Sequence, residues 1–171
     1  MRIALKEWAV VVDALERGEQ DILLRKGGIA EGRGGFQPGH PRFWLFPTRF
    51  HQQKTQVIAP AQARFDVLEP TLPPEDLVRI SSWAAVIASR RLNSLAEVAA
   101  LRARHIWRDE VIAERFQWGR ESGIYALELR VHKLDRPWTG PLRPEYGGCK
   151  SWVELAEVPA PIPESPMNMI L

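Results

Sequence analysis

Leu5-Lys6-Glu7-Trp8-Ala9-Val10-Val11-Val12-Asp13-Ala14-Leu15, then Glu16-Arg17-Gly18-Glu19-Gln20, then Asp21-Ile22-Leu23-Leu24-Arg25-Lys26, is the stretch on which the fold of this 171-residue chain turns. Apolar residues at Leu5, Trp8, Ala9, Val12 and Leu15 share one helical face, and Gly18 supplies a stop, so the spacing predicts a first helix over Leu5 to Leu15. A β-hairpin is the rival reading. Val10-Val11-Val12 is β-branched, and Arg17-Gly18-Glu19 could form its turn. Asp21 to Lys26 reads as a short buried strand ended by Gly27-Gly28, and Gly32 to Pro41 as a flexible glycine-rich loop.

Further along the chain, Arg42-Phe43-Trp44-Leu45-Phe46 reads as a second strand closed by Pro47, with Thr48 placed to cap a short helix through Gln53. After the prolines at 60, 70, 73 and 74, Leu77 to Ala88 reads as a long strand. Its alternation breaks at Ser81-Ser82, which predicts a bulge or burial of both faces. Ser94, with Glu97 three residues on, forms the capping-box pattern of a helix running to Ile106. Asp109 to Phe116 follows as a helix with acidic residues at its positive end. Gly123 to Leu134 alternates as a strand with one wet face, and Ser151 to Leu155 closes the set. Strands joined by non-helical loops predict an α+β domain over residues 1–156, built on a small mixed, barrel-like sheet with flanking helices. Residues 157–171, with prolines at 159, 161, 163 and 166, read as an extended or disordered arm.

Composition narrows the classes. A chain of 171 residues that is 45% hydrophobic can bury a core without staples, and its single cysteine, Cys149, excludes an internal disulfide. The longest apolar run, Trp83 to Ala88, is too short to cross a bilayer, and the N-terminus lacks the apolar core of a signal peptide, so a soluble, cytoplasmic chain is expected. Net charge is only +2, yet 18 of the 23 cationic residues are arginine, which suits anionic or planar ligands, or reflects a GC-rich genome.

Four words go beyond pattern: Leu5 to Val11, Leu23 to Ile29, Phe46-Pro47-Thr48 with Phe50 to Gln53, and Pro144 to Leu155. Together they resemble a bacterial family filed as domain of unknown function eighteen-zero-two, a resemblance that implies no activity. In addition, Gly18-Glu19-Gln20 before a strand ending in Arg25 resembles the Gly-x-Lys-x-x-x-x-Arg signature of the ASCH group of PUA-like β-barrels. Tyr125 to Arg130, Leu134 to Pro137 and Trp152 to Leu155 are similar to the final strands of such a barrel. This resemblance implies recognition of RNA or modified nucleotides in a cleft beside the first helix. Some members cut RNA, but here Gln20 stands where the pattern has lysine, and a neutral amide cannot serve as a cationic catalytic group.

Two sets of residues are candidates for ligand contact. In Arg42 to Lys54, cations and aromatics interleave as base stacking and phosphate neutralisation require: Arg42, Trp44, Thr48, Arg49, His51, Gln52 and Lys54. A buried aromatic strand with solvated ends would have the same composition. The second set is Tyr146, Lys150 and Trp152 with Arg143, beside Gly147-Gly148 where a ligand could approach the backbone. Gln20, Arg25 and Lys26 join them from the resemblance. Four separated histidines make no metal-ligand pair, and no phosphate loop, nucleophile elbow or dinucleotide fingerprint occurs, so no cofactor or metal is implied.

The leading expectation is thus a nucleic-acid-binding module for RNA or a modified base. The alternatives are a nuclease or small hydrolase using the same cleft, with His51 or Lys26 moving a proton, and a protein-interaction scaffold using the C-terminal arm. All depend on the opening helix and the strand after it walling a closed, curled sheet whose mouth gathers guanidinium groups and exposed rings, with Gln20, Arg25 and Lys150 lining one cavity.

Overall fold

The computed structural model describes residues 2–26, 39–119 and 121–157. Gly27-Gly28, most of the Gly32 to Pro41 loop and all but the first residue of the C-terminal arm lie outside the described residues.

The opening stretch splits in two. Ile3–Trp8 is a strand, β1, and Ala9–Glu16 is a helix, α1. The expected helix over Leu5 to Leu15 is therefore corrected at its N-terminal half. Local preference does not explain this division, because the β-branched valines lie in the helix. What holds β1 extended is pairing on both edges: parallel to β3 (Arg42–Thr48), with Leu5 opposite Leu45, and antiparallel to β6 (Trp152–Glu154), with Leu5 opposite Trp152. α1 is buried almost all round, and Gly18 ends it with φ +72° as the sequence requires. No side chain of its own caps it; Gln53 Oε1 accepts the Val10 N–H at 3.1 Å instead.

Ile22–Arg25 forms β2, as expected. β3 runs through Pro47 rather than ending before it. That proline is paired to β1 only through the register Glu7 opposite Pro47 near the strand's end, where a missing donor is tolerated. The short helix expected from Thr48 is absent: turns span 51–53, followed by one 3₁₀ turn at Lys54–Gln56, and Thr48 Oγ1 donates to Glu7 O at 3.1 Å. In the proline-punctuated region the sequence reading missed a helix, α2 (Ala59–Leu68), because Pro60 occupies the first turn, where its lost N–H costs nothing.

β4 (Leu77–Leu92) and β5 (Ile124–Pro141) form a long antiparallel ladder. Its register shifts between Ile80 and Ser82, where the broken alternation predicted a bulge, and again between Val86 and Ala88. β5 outruns its expected end at Leu134, with Pro137 falling inside the first shift. The capping box at Ser94 and Glu97 is present, but the helix it starts, α3, spans only Leu95–Ala99 and gives way to a 3₁₀ turn at Arg102–Arg104. α4 covers Asp109–Gln117.

The result is an α+β fold with a mixed six-stranded sheet in the order β2-β5-β4-β3-β1-β6 and helices at its flanks, barrel-like but not closed. Core residues fall in two layers. One gathers Leu5, Leu23, Leu45, Trp107 and the α1 valines; the other gathers Ala4, Trp44, Phe46, Ile80, Tyr146 and Val153. β3 is buried on both faces, so Phe43 to Phe46 form an unbroken apolar run rather than an alternating one. No helix among the described residues is long and apolar enough to cross a membrane.

Candidate nucleic-acid interface

The sheet's two edge strands, β2 and β6, approach without sharing backbone hydrogen bonds, and side chains bridge the gap. Arg25, the last residue of β2, donates to Ser151 Oγ just before β6 at 2.6 Å and to Glu7 Oε2 on β1 at 3.1 Å. Glu7 is 3% exposed, and its other oxygen accepts the Trp8 N–H at 2.8 Å, which locks the carboxylate in place. Arg25 thus bridges by its side chain the opening that the ladder leaves between β2 and the β1–β6 edge.

Over this seam lies a cleft made of two adjoining hollows of about 390 and 340 Å³. Among the described residues, Lys6, Arg25, Lys26, Arg49, Arg115 and Lys150 contribute cations to its lining, against the single carboxylate of Glu7. Burial in the first instance, and Lys150 in the second, hold the Lys6 ammonium below the ordinary lysine value. Its Nζ donates to Gly148 O at 2.8 Å, which ties β1 to the glycine turn before β6. The Arg115 guanidinium, reaching in from α4, lies 4.7 Å from the Trp8 ring centroid and 5.2 Å from that of Trp107. Burial brings it down to about 10, and Glu7 opposes that shift. Phe50 stacks on Trp8 at 5.3 Å, and Phe50 and Trp118 are exposed at the rim. Cys149 is exposed in the same cleft.

Of the residues expected at a ligand site, Arg25, Lys26, Thr48, Arg49 and Lys150 meet in this cleft. Lys26 is already engaged there: its Nζ donates to Phe116 O at 2.9 Å and Gly123 O at 2.8 Å, closing the C-terminal end of α4. Gln20 does not join the cleft. It is 2% exposed, donating to Ile22 O and accepting from Ile106 N, and so ties β2 to the segment before α4. Trp44 and Tyr146 are buried in the second core layer and do not line this cleft; the Tyr146 hydroxyl accepts the Ala156 N–H. Trp152 packs edge-on to Phe43 and His40. Arg42 lies on β3 opposite Ala85, away from the seam. His51 and Gln52 sit in an exposed turn, and Lys54 pairs with Asp66 on α2.

The sequence reading missed Lys6, Glu7, Trp8, Phe50, Arg115 and Trp118. Placing Leu5 to Leu15 on a helix put Lys6 and Glu7 on its solvated side. Arg115 was invisible because α4 reaches the seam only in three dimensions. At the start of α4, Asp109 pairs with Arg102 and Glu110 with Arg108. Among the described residues no group of three or more His, Cys, Asp or Glu is placed to hold a metal ion.

A family model described as "Domain of unknown function (DUF1802)" matches residues 4–167. Among solved structures, the chain is similar to ASCH from Zymomonas mobilis, at 15% identity over 90% of this chain and 86% of that one, with a TM-score of 0.55. A single-substitution variant of the same protein gives 14% identity, 90% and 87% coverage, and a TM-score of 0.57. At such identity the likeness is one of fold. No curated protein matches the chain.

Proposed function

We propose that this chain, which belongs to the DUF1802 family, is a nucleic-acid-binding module that holds single-stranded RNA across the seam cleft. The observation that carries the reading is the concentration of charge. A protein of net charge +2 lines one cleft, among its described residues, with six cations and one carboxylate, and that carboxylate is buried against Arg25. Such a surface neutralises a string of phosphates better than a single anion, and Phe50 and Trp118 at its rim offer faces on which unstacked bases can lie. Arg49 and Lys150, both exposed, would meet phosphate directly, while Arg25 and Arg115 act from beneath. The ASCH-like fold agrees with this reading, since the sequence resemblance implies RNA recognition beside the first helix.

Fluorescence anisotropy of a labelled single-stranded RNA, repeated across a salt series, tests the proposal. Affinity should fall steeply with salt, and replacing Arg49 and Lys150 by alanine should flatten the log–log slope by about 0.7 for each phosphate no longer neutralised. Absence of binding at low salt would overturn it.

A further inference from the structure

Next to the cleft, a third hollow of about 440 Å³ opens on the other core layer, walled by Phe46, Val78 and Tyr146, by Leu77 at the start of β4 and by Leu72 from the loop before it. Its size lies within the range of roughly 300–1,000 Å³ typical of sites for small organic groups. Lys6, Thr48 and Arg49 line both this chamber and the cleft, so the two spaces share a rim. We propose that the chamber is a base-binding subsite, taking the heterocycle of one unstacked nucleotide whose phosphate is held at the shared rim by Lys6 and Arg49. This rests on the reading of the cleft as a nucleic-acid interface and names what that interface takes from the strand.

The chemistry of the chamber selects this occupant. Its interior is aliphatic and aromatic, with Phe46 and Tyr146 packed edge to face at 5.6 Å, and so suits the apolar faces of a planar ring. Its cations stand at the mouth. Arg49 Nη2 is anchored on Pro74 O at 3.3 Å and Arg79 Nη1 on Thr71 O at 3.1 Å, bonds that orient each guanidinium while leaving it further N–H donors. An apolar acid with a single head would need one such cation. Here the charges continue from the mouth through Lys6 and Arg49 toward Arg25 and Lys150, as a chain of phosphates requires. A duplex would first have to flip a base out of its stack, at a cost a single strand does not bear, so the chamber favours a single strand.

The test uses the full chain and a labelled RNA octamer, intact and with one abasic nucleotide moved through the central positions. It also uses free nucleoside 5′-monophosphates and decanoate, followed by the amide chemical shifts of Val78, Leu142 and Gly147. One abasic position should weaken binding about tenfold. The variant Leu72→Trp, which narrows the chamber from a loop outside the regular elements, should bind the intact octamer as weakly and lose nothing more from the abasic one. Leu142→Trp, at the exposed rim, serves as a second variant with little risk to folding. Monophosphates should shift the three amides. Octamer binding that ignores every abasic position, with amides unmoved by monophosphates, would overturn the chamber and leave the cleft reading standing. Amide shifts from monophosphates without octamer binding would keep the subsite and overturn the polymer reading. Occupation by decanoate and not by monophosphates would overturn the proposed ligand class, and no binding of octamer or monophosphate would overturn both readings.

Discussion

Replacing Glu7 by glutamine tests how much the Arg25–Glu7 ion pair holds across the opening between β2 and β1. The carboxylate side chain is 2% exposed and its Arg25 partner 18%, at 3.1 Å. Neutralising it removes the more effective of the two negative charges that offset the repulsion between the Arg25 and Arg115 guanidinium groups, since Glu7, ahead of Glu114, opposes the fall of Arg115. Breaking a buried pair from one side costs about 3–5 kcal/mol. Arg25 retains its bond to Ser151 Oγ and some access to water, so the lower end, about 3 kcal/mol, applies here. For a domain of this size each kcal/mol moves Tm by about 2–4 °C, giving a fall of about 6–12 °C. Calorimetry on the wild type, Glu7→Gln, Arg25→Met and the double variant completes a cycle. The double variant should be more stable than the sum of the singles predicts, because it removes both charges together. A Tm change in Glu7→Gln under about 2 °C, or strict additivity in the cycle, would refute the assignment of the seam to this pair.

Two further predictions concern the scaffold. His105 is 5% exposed, and burial first, then Arg102, lowers its pKa from 6.5 to about 4. The folded state therefore binds fewer protons than the unfolded state between those values. Stability is full above about pH 6.5, declines as pH falls toward 4 and levels off below, by about 3 kcal/mol in total; urea titrations at pH 4.5 and 7 should show the difference shrinking in His105→Gln. Gln53, 1% exposed, caps α1 through Val10, so Gln53→Ala should cost about 1–3 kcal/mol by leaving that amide buried and unpaired. An unchanged denaturation midpoint would show that water replaces the cap.

Most local devices could be read from the sequence, although pairing with β1 overrode the expected Pro47 stop and Thr48 cap. The Ser94 capping box, the Gly18 stop, the acidic start of α4 and the broken alternation at Ser81-Ser82 all act within a few residues, and all are present in the structure. Two elements were misread. β1 looked helical because its neighbours in sequence are helical, and α2 was lost because a proline that starts a helix resembles one that forbids it. The candidate site divides in the same way. Arg25 could be named from the family resemblance and Lys150 from the Gly147-Gly148 turn beside it, whereas Arg115 and Glu7 could not, since nothing near them in the chain marks them.

The order of residues was enough to establish the class of protein: an arginine-rich α+β chain with short, well-marked elements and enough apolar residues to bury a core. That Lys6, Glu7, Arg25, Arg115 and Lys150 surround one seam emerges only when the chain is folded. Propensity and capping depend on neighbours three or four residues away. The potential in a cleft is set instead by which side chains the sheet register brings within a few ångströms, and in this chain those residues lie up to 144 positions apart in the numbering of Lys6 and Lys150.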